Sequence, residues 1–373
     1  MRKLILLAIL TAMALPAGAA RRVTIAQLQT LLAEQQAARK SDGSIATLVS
    51  SLELTEELTG PEMDQTVAKL KLGPKTALAL DQLADSSAFI ESPDTALPAR
   101  PTPDAATQQA QLNAAVNFVA VTLRHMPDFL ATRVTRSFND APQTTVSGSP
   151  MRTDLHLVET YKQDITYRDG RETSSSLQAA PGARAKQSAS PSGLVSWGEF
   201  GPMLKMILIE AAKGKVAWSH WEQTPAGPVA VFHYQVPKEF SHFSVGFCCI
   251  RNSGNGMRDS SNSYQGTPGY HGLLALDPAT GSILRITIES ELEESDPVAR
   301  AAVSIQYGTV EIGDKQYVCP VRSVTILSAR TPSQGFGKVG IVQKTIQQVN
   351  DVSFTNYHRF GSTMRLLTDD SPQ

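Results

Sequence analysis

The sequence predicts an α+β protein in which an N-terminal helical domain precedes a large, mostly up-and-down antiparallel sheet with one embedded helix. Three observations carry that expectation. Apolar residues between positions 23 and 90 recur at helical spacing, from about residue 131 they alternate, and the later alternating runs are joined by short turns. The first spacing lines one face of a helix, and the second lines one face of a strand. Strands joined by short turns pair antiparallel.

Residues 1–20 read as a cleavable signal peptide. Arg2 and Lys3 precede an apolar run from Leu4 to Leu15, and Pro16 then leads into the small-residue site Ala17-Gly18-Ala19. Twelve residues are too few to cross a bilayer as a helix. No later run is long enough either, so no transmembrane anchor is expected and the mature chain should be exported, to the periplasm or beyond. The formal charge of −1 becomes −3 when the two positive charges of Arg2 and Lys3 are removed with no acid. A near-neutral chain lacks the basic stripe that nucleic acid would require. At about 350 residues the mature chain exceeds one usual core, which suggests two domains.

The first domain spans residues 23–90. Thr24 and Gln27 have capping-box spacing, and Ile25, Leu28, Leu31 and Leu32 form the stripe that follows. Leu48, Leu52 and Leu54 suggest a second helix. Gly60-Pro61 and Gly73-Pro74 each place a proline where a helix can start without losing a hydrogen bond. Residues 91–104, with four prolines between Pro93 and Pro103, read as an interdomain linker.

The second domain spans residues 105–365. Leu112, Ala115, Val116, Val119 and Leu123 mark its opening helix, and Ala131–Phe138 and Leu155–Tyr167 its first strands. The stretch from Ser174 to Gly193 holds hardly any large apolar residue and reads as a loop. A helix from Glu199 to Lys213 is apolar on nearly every side between Met203 and Ile209, so most of its surface must be covered. The remaining runs are Val216–Gln223, Val229–Val236, Ser241–Ile250, His271–Leu276, Ser282–Glu289, Ala302–Ile312, Lys315–Leu327 and Val349–Arg359. The turns between them include Asp277-Pro-Ala-Thr-Gly281 and Gly313-Asp314.

This order of elements resembles the periplasmic lipoprotein-carrier fold, a curved half-barrel wrapped around helices. The likeness is one of topology and covers residues 105–365. The segments carrying it are Tyr270-His-Gly-Leu-Leu-Ala-Leu-Asp-Pro-Ala-Thr-Gly-Ser-Ile-Leu-Arg285, Tyr307-Gly-Thr-Val-Glu-Ile-Gly-Asp-Lys-Gln-Tyr-Val-Cys-Pro-Val321 and Phe354-Thr-Asn-Tyr-His-Arg-Phe360. These segments also resemble a family of uncharacterised exported bacterial proteins, a likeness that spans nearly the whole mature chain and brings no activity with it. The resemblance implies that the sheet is a curved antiparallel β half-barrel with helix 199–213 embedded in it. It also implies an apolar or lipid-like ligand, or an envelope protein partner offering an apolar segment. Carriers of that kind are single small domains, so the helical domain and the Ser-rich loop are additions.

No catalytic motif of the metalloprotease, nucleophile-elbow, phosphate-loop or dinucleotide kind is present, and no cofactor is expected. If the hairpin after residue 216 centres on Ala226-Gly227, His220 stands opposite His233 with Glu222 on the same face. That trio is a weak candidate for a metal-dependent enzyme. The opposite face then carries Trp221, Phe232, Tyr234 and Val236. With Met203, Met206 and Ile207 of the apolar helix, Trp221, Phe232 and Tyr234 are the candidate lining of a ligand cavity, or simply a filled core. In an oxidising compartment the three cysteines would tend to pair. Val245, Phe247 and Cys249 share a strand face, which favours Cys249–Cys319, with Cys248–Cys319 as the alternative.

Overall fold

The computed structural model describes residues 21–90, 92, 97–140, 155–175, 178–179, 194–196, 198–224, 226–248, 263–330 and 345–359. The expected signal peptide, Cys249 and most of the Ser-rich loop lie outside these residues.

The N-terminal part comprises β1 (Arg21–Val23), α1 (Ile25–Ala37), α2 (Asp42–Ser50), β2 (Leu52–Leu54), α3 (Gly60–Leu70) and α4 (Pro74–Ser87). The capping box forms at α1. The Gln27 N–H donates to the Thr24 hydroxyl at 3.2 Å, and the Thr24 N–H donates to the Gln27 side-chain oxygen at 3.0 Å. Leu52 and Leu54 are not helical, contrary to the sequence expectation. The Ser51 hydroxyl donates to the Leu48 carbonyl as α2 ends, and the next three residues pair parallel with β1. Strand alternation then buries Leu52 and Leu54 and exposes Glu53. Leu28, Leu32, Val49 and Leu80 are among the side chains of a core that these elements enclose by themselves.

The rest begins with α5 (Ala105–His125), β3 (Phe129–Asn139), β4 (His156–Arg168), β5 (Arg171–Ser174) and β6 (Gln178–Ala179). It continues through α6 (Pro202–Ala211), β7 (Lys215–Thr224), β8 (Gly227–Val236), β9 (Val245–Cys248) and β10 (Ser263–Gly266). Last come β11 (Gly269–Leu276), β12 (Ile283–Glu291), β13 (Val298–Ile312), β14 (Lys315–Arg330) and β15 (Thr345–Arg359). One antiparallel sheet of eleven strands runs β5-β4-β3-β15-β14-β13-β12-β11-β8-β7, with β6 also on β4. Its edges, β5 and β7, are not joined, so the sheet is a half-barrel and not a closed one. Among the described residues the expected strand Ser241–Ile250 contributes only β9, which leaves the main sheet and pairs with β10.

Each face of the sheet has its own cover. On the inner face, Ala115 and Val119 of α5 and Met203 and Ile207 of α6 pack against Phe232, Ile286, Ile305 and Leu327. Burial of such large apolar side chains is worth ~1.5–3 kcal/mol each, which is why an all-round apolar helix settles there. On the outer face, Leu78 of α4 and the following Phe89 pack on Phe138, Val324, Ile326 and Val349.

Arginines from the sheet reach the N-terminal helices beside that apolar contact. Arg322 pairs with the buried Asp85 and, at 3.0 Å, with Asp351. Arg136 pairs with Asp81 at 2.9 Å and also with Asp351. Arg285 meets Glu57 at 3.3 Å and Glu222 at 2.6 Å. Burial, reinforced by the Asp351 charge, pushes the Asp85 carboxyl well up despite Arg322. The chain then rounds the β7 edge, where the Trp221 indole N–H donates to the Pro101 carbonyl at 3.0 Å and Arg100 lies over the ring. Among the described residues, no helix is long and apolar enough to cross a membrane.

Candidate functional site

The turn leading into α6 sets the position of that helix. Gly198 adopts φ +85°, a conformation that side chains with a Cβ rarely take. At Gly201 a Cβ would come within 2.3 Å of Leu123 on α5, so glycine permits the close approach. Pro202 then opens the helix at its first turn. That turn explains why α6 starts at Pro202 and not at the expected Glu199.

Buried charge holds the same turn. The Ser196 hydroxyl donates to Glu199 Oε1 at 2.6 Å, Arg133 Nη1 donates to the Ser196 carbonyl at 3.0 Å, and Arg133 Nη2 lies 3.5 Å from Glu199. Tyr307 donates its hydroxyl to the Glu199 carbonyl at 3.0 Å. From the edge strand, Glu172 accepts the Gly198 N–H at 3.1 Å. Burial, and then the Glu199 charge, push the Glu172 carboxyl up to about 8, against the pull of Arg133.

Between this turn, α6 and the segment entering β9 lies a cavity of about 550 Å³. Its apolar wall comes from Leu194, Pro202, Met203, Met206, Phe243 and Val303, while Ser196, His242 and Ser244 supply polar groups. His242 is held from behind. Its Nδ1 is 2.8 Å from Glu210 Oε1, and its backbone N–H is 3.2 Å from both carboxylate oxygens. Tyr270 donates its hydroxyl to Glu210 Oε2 at 2.8 Å. Glu210, in the last turn of α6, is only 3% exposed. A lone acid ending an apolar helix was the available signal for this cluster, but its partners are 32 and 60 residues away.

The candidate lining residues divide. Met203 and Met206 line the cavity, whereas Ile207, 1% exposed, points into the core beneath. Trp221, Phe232 and Tyr234 share the inner face, as the alternation implies, but they stand among the core side chains and not in the cavity wall. Tyr234 is fully enclosed and donates its hydroxyl to the Thr287 carbonyl at 2.6 Å, while Trp221 caps the β7 edge.

The histidine register needs correction. His220 stands opposite Val231, and His233 opposite Ala217, because the turn joins Thr224 to Gly227 and the ladder shifts between Trp218 and His220. A β-bulge of this kind adds an unpaired residue and changes which side chains meet. His220 Nε2 lies 3.2 Å from Glu222, and Arg285 also pairs with that carboxylate. Burial opposes the charge of Glu222, but the hydrogen bonds of His220 and Arg285 outweigh it and hold the carboxyl below its ordinary value. His233 instead neighbours His271, with ring centroids 6.1 Å apart. Among the described residues no group of His, Cys, Asp and Glu side chains is suited to a metal ion.

The cysteine expectation is corrected as well. Cys319 is a free, buried thiol. It packs with Phe129, Phe200 and Phe354, whereas Val245 and Phe247 of β9 belong to the core under α6. Strand β9 pairs with β10, away from β14, and Cys319 makes no disulfide, while Cys249 of the expected pair lies outside the described residues. Burial pushes the Cys319 thiol up to about 12.

No protein-family model and no curated protein matches the sequence. Comparison with solved structures finds similarity to a LolA superfamily protein from Nitrosomonas europaea. The identity is 12% and the TM-score 0.25, over 68% of this chain and 94% of that one. At that TM-score the likeness carries no argument, and the half-barrel stands on its own strand order.

Proposed function

We propose that this chain is an exported binding protein whose half-barrel holds an apolar or lipid-like ligand, or a partner's apolar segment, in the cavity beside α6. The single observation that carries this reading is the cavity itself, about 550 Å³ with a mainly apolar wall that includes two methionines. Small-molecule sites are typically concave, mostly apolar and about 300–1,000 Å³ in volume, with a few placed polar groups. Methionine suits a wall that must fit varied chains, because its side chain is unbranched and its thioether polarisable. In this reading the N-terminal helices, residues 23–90, form a domain that covers the outer face and leaves the inner face to the ligand.

Titration with a fluorescent fatty-acid probe tests the proposal. Stoichiometric binding is expected, with loss of binding and retention of fold in Met206→Asp, because Met206 lines the cavity and is only half-buried. Binding no stronger than to a control globular protein, with the fold intact, would rule out the apolar cavity as a ligand site. Export has a separate test. Protein recovered from its native host should lack the first 19 or 20 residues by mass.

A further inference from the structure

We infer that the ligand is an amphiphile with an acidic head group, and that His242 receives that head at the polar end of the cavity. The inference rests on the apolar-cavity reading above and narrows it to a chemical class.

His242 is the only side chain of the described lining that can carry a positive charge. Its orientation is set by the protein, because Nδ1 lies against Glu210 at 2.8 Å while the backbone N–H of the same residue donates to that carboxylate. Glu210 also accepts the Tyr270 hydroxyl. Its oxygens are therefore occupied by protein donors, and the carboxylate fixes the imidazole ring through Nδ1. Among the described residues Nε2 has no hydrogen-bond partner, and the side chain is 78% exposed. In the imidazolium form both ring nitrogens carry a proton, so with Nδ1 on Glu210 the Nε2 N–H is a charged donor.

An anion placed at Nε2 gains a charge-assisted hydrogen bond, roughly twice as strong as one between neutral groups. A neutral hydroxyl head gains only the weaker kind, and a cationic head meets repulsion. The hydrocarbon chain would lie along Met203, Met206, Phe243 and Val303, on the wall adjoining His242. Carboxylate and phosphate monoester heads share the required chemistry, so either a fatty acid or a phosphorylated lipid could supply it.

The full-length mature chain should be titrated calorimetrically with decanoate, decyl phosphate and decanol. Wild type is expected to bind at least one acid roughly tenfold or more tightly than the alcohol, a difference of the size that charge assistance gives. H242Q should bring acid binding down to the alcohol's level and leave decanol unchanged. H242R, which restores a charged donor, should recover the preference. Preference for decanoate alone assigns a fatty acid, and preference for decyl phosphate alone a phosphorylated lipid. Equal binding of all three by wild type, or a preference that survives in H242Q, overturns the acidic-head assignment while the apolar cavity stands. Failure of all three to bind overturns both.

Discussion

The two faces of one sheet are covered in different ways. On the inner face, a short apolar helix is seated by glycine turns, hydrophobic contact and the buried Arg133–Glu199 pair at its entry, and a cavity of about 550 Å³ remains beside it. On the outer face, a set of helices with its own core is docked by Leu78 and Phe89 and by Arg136, Arg285 and Arg322 reaching carboxylates. Apolar contact is non-directional and tolerates repacking. Paired buried charges tolerate neither displacement nor loss of a partner. The outer cover is therefore built to stay, whereas on the inner face buried polar contacts pin the two ends of α6 and the wall between them leaves room for an occupant.

The sharpest way to break this contrast is at α6. Ile207→Asp places a carboxylate at a core position 1% exposed and should abolish folding, as judged by loss of the cooperative denaturation transition. Met206→Asp, one residue away, should fold. If the two behaved alike, the division of α6 into a core side and a cavity side would be wrong.

On the outer face, Arg322→Ala removes the partner of the buried Asp85 and one partner of Asp351. Breaking a buried pair in this way costs ~3–5 kcal/mol, readable as a shift of the urea midpoint. Probe binding at the inner cavity should persist under native conditions. A loss near zero would mean that the charges decorate an interface held by Leu78 and Phe89 alone.

A pH series sharpens the inner side. Burial holds the Glu172 carboxyl at about 8 in the folded chain, against an ordinary value of 4.5. The folded state therefore binds this proton more tightly, so the contribution of Glu172 to stability is fully present below 4.5, falls as pH rises to about 8, and is flat beyond. Glu172→Gln should remove that fall and make the variant the more stable protein at alkaline pH, measured by denaturant midpoints on either side of the window. Wild type and variant with the same pH slope would show that Glu172 is ionised throughout.

The smallest expected effect lies where the chain passes between the faces. Trp221→Phe deletes the hydrogen bond to Pro101, worth about 0.5–1.5 kcal/mol. Protease cleavage in the linker should rise, while probe binding stays unchanged.

Much of this molecule could be read locally. The Thr24–Gln27 box, the proline starts of α3 and α4 and the Gly313 turn depend on neighbours a few residues apart, as do most strand positions. Short-range sterics and side-chain periodicity determine such features, so the sequence by itself specified an α+β chain with an apolar helix inside its sheet. Other features needed partners far apart in the chain. Leu52 and Leu54 became a strand because β1 was there to pair with. The turn from Thr224 to Gly227 set the partner of His220 and the shift between Trp218 and His220 that of His233, and no pattern in the hairpin marks that shift. The docking of Asp85 on Arg322 joins residues 237 apart, and Glu210, His242 and Tyr270 meet only once α6 lies on the sheet. Tertiary structure alone decided these placements, because the burial that selects among registers and docking faces is shared by segments that no local spacing relates.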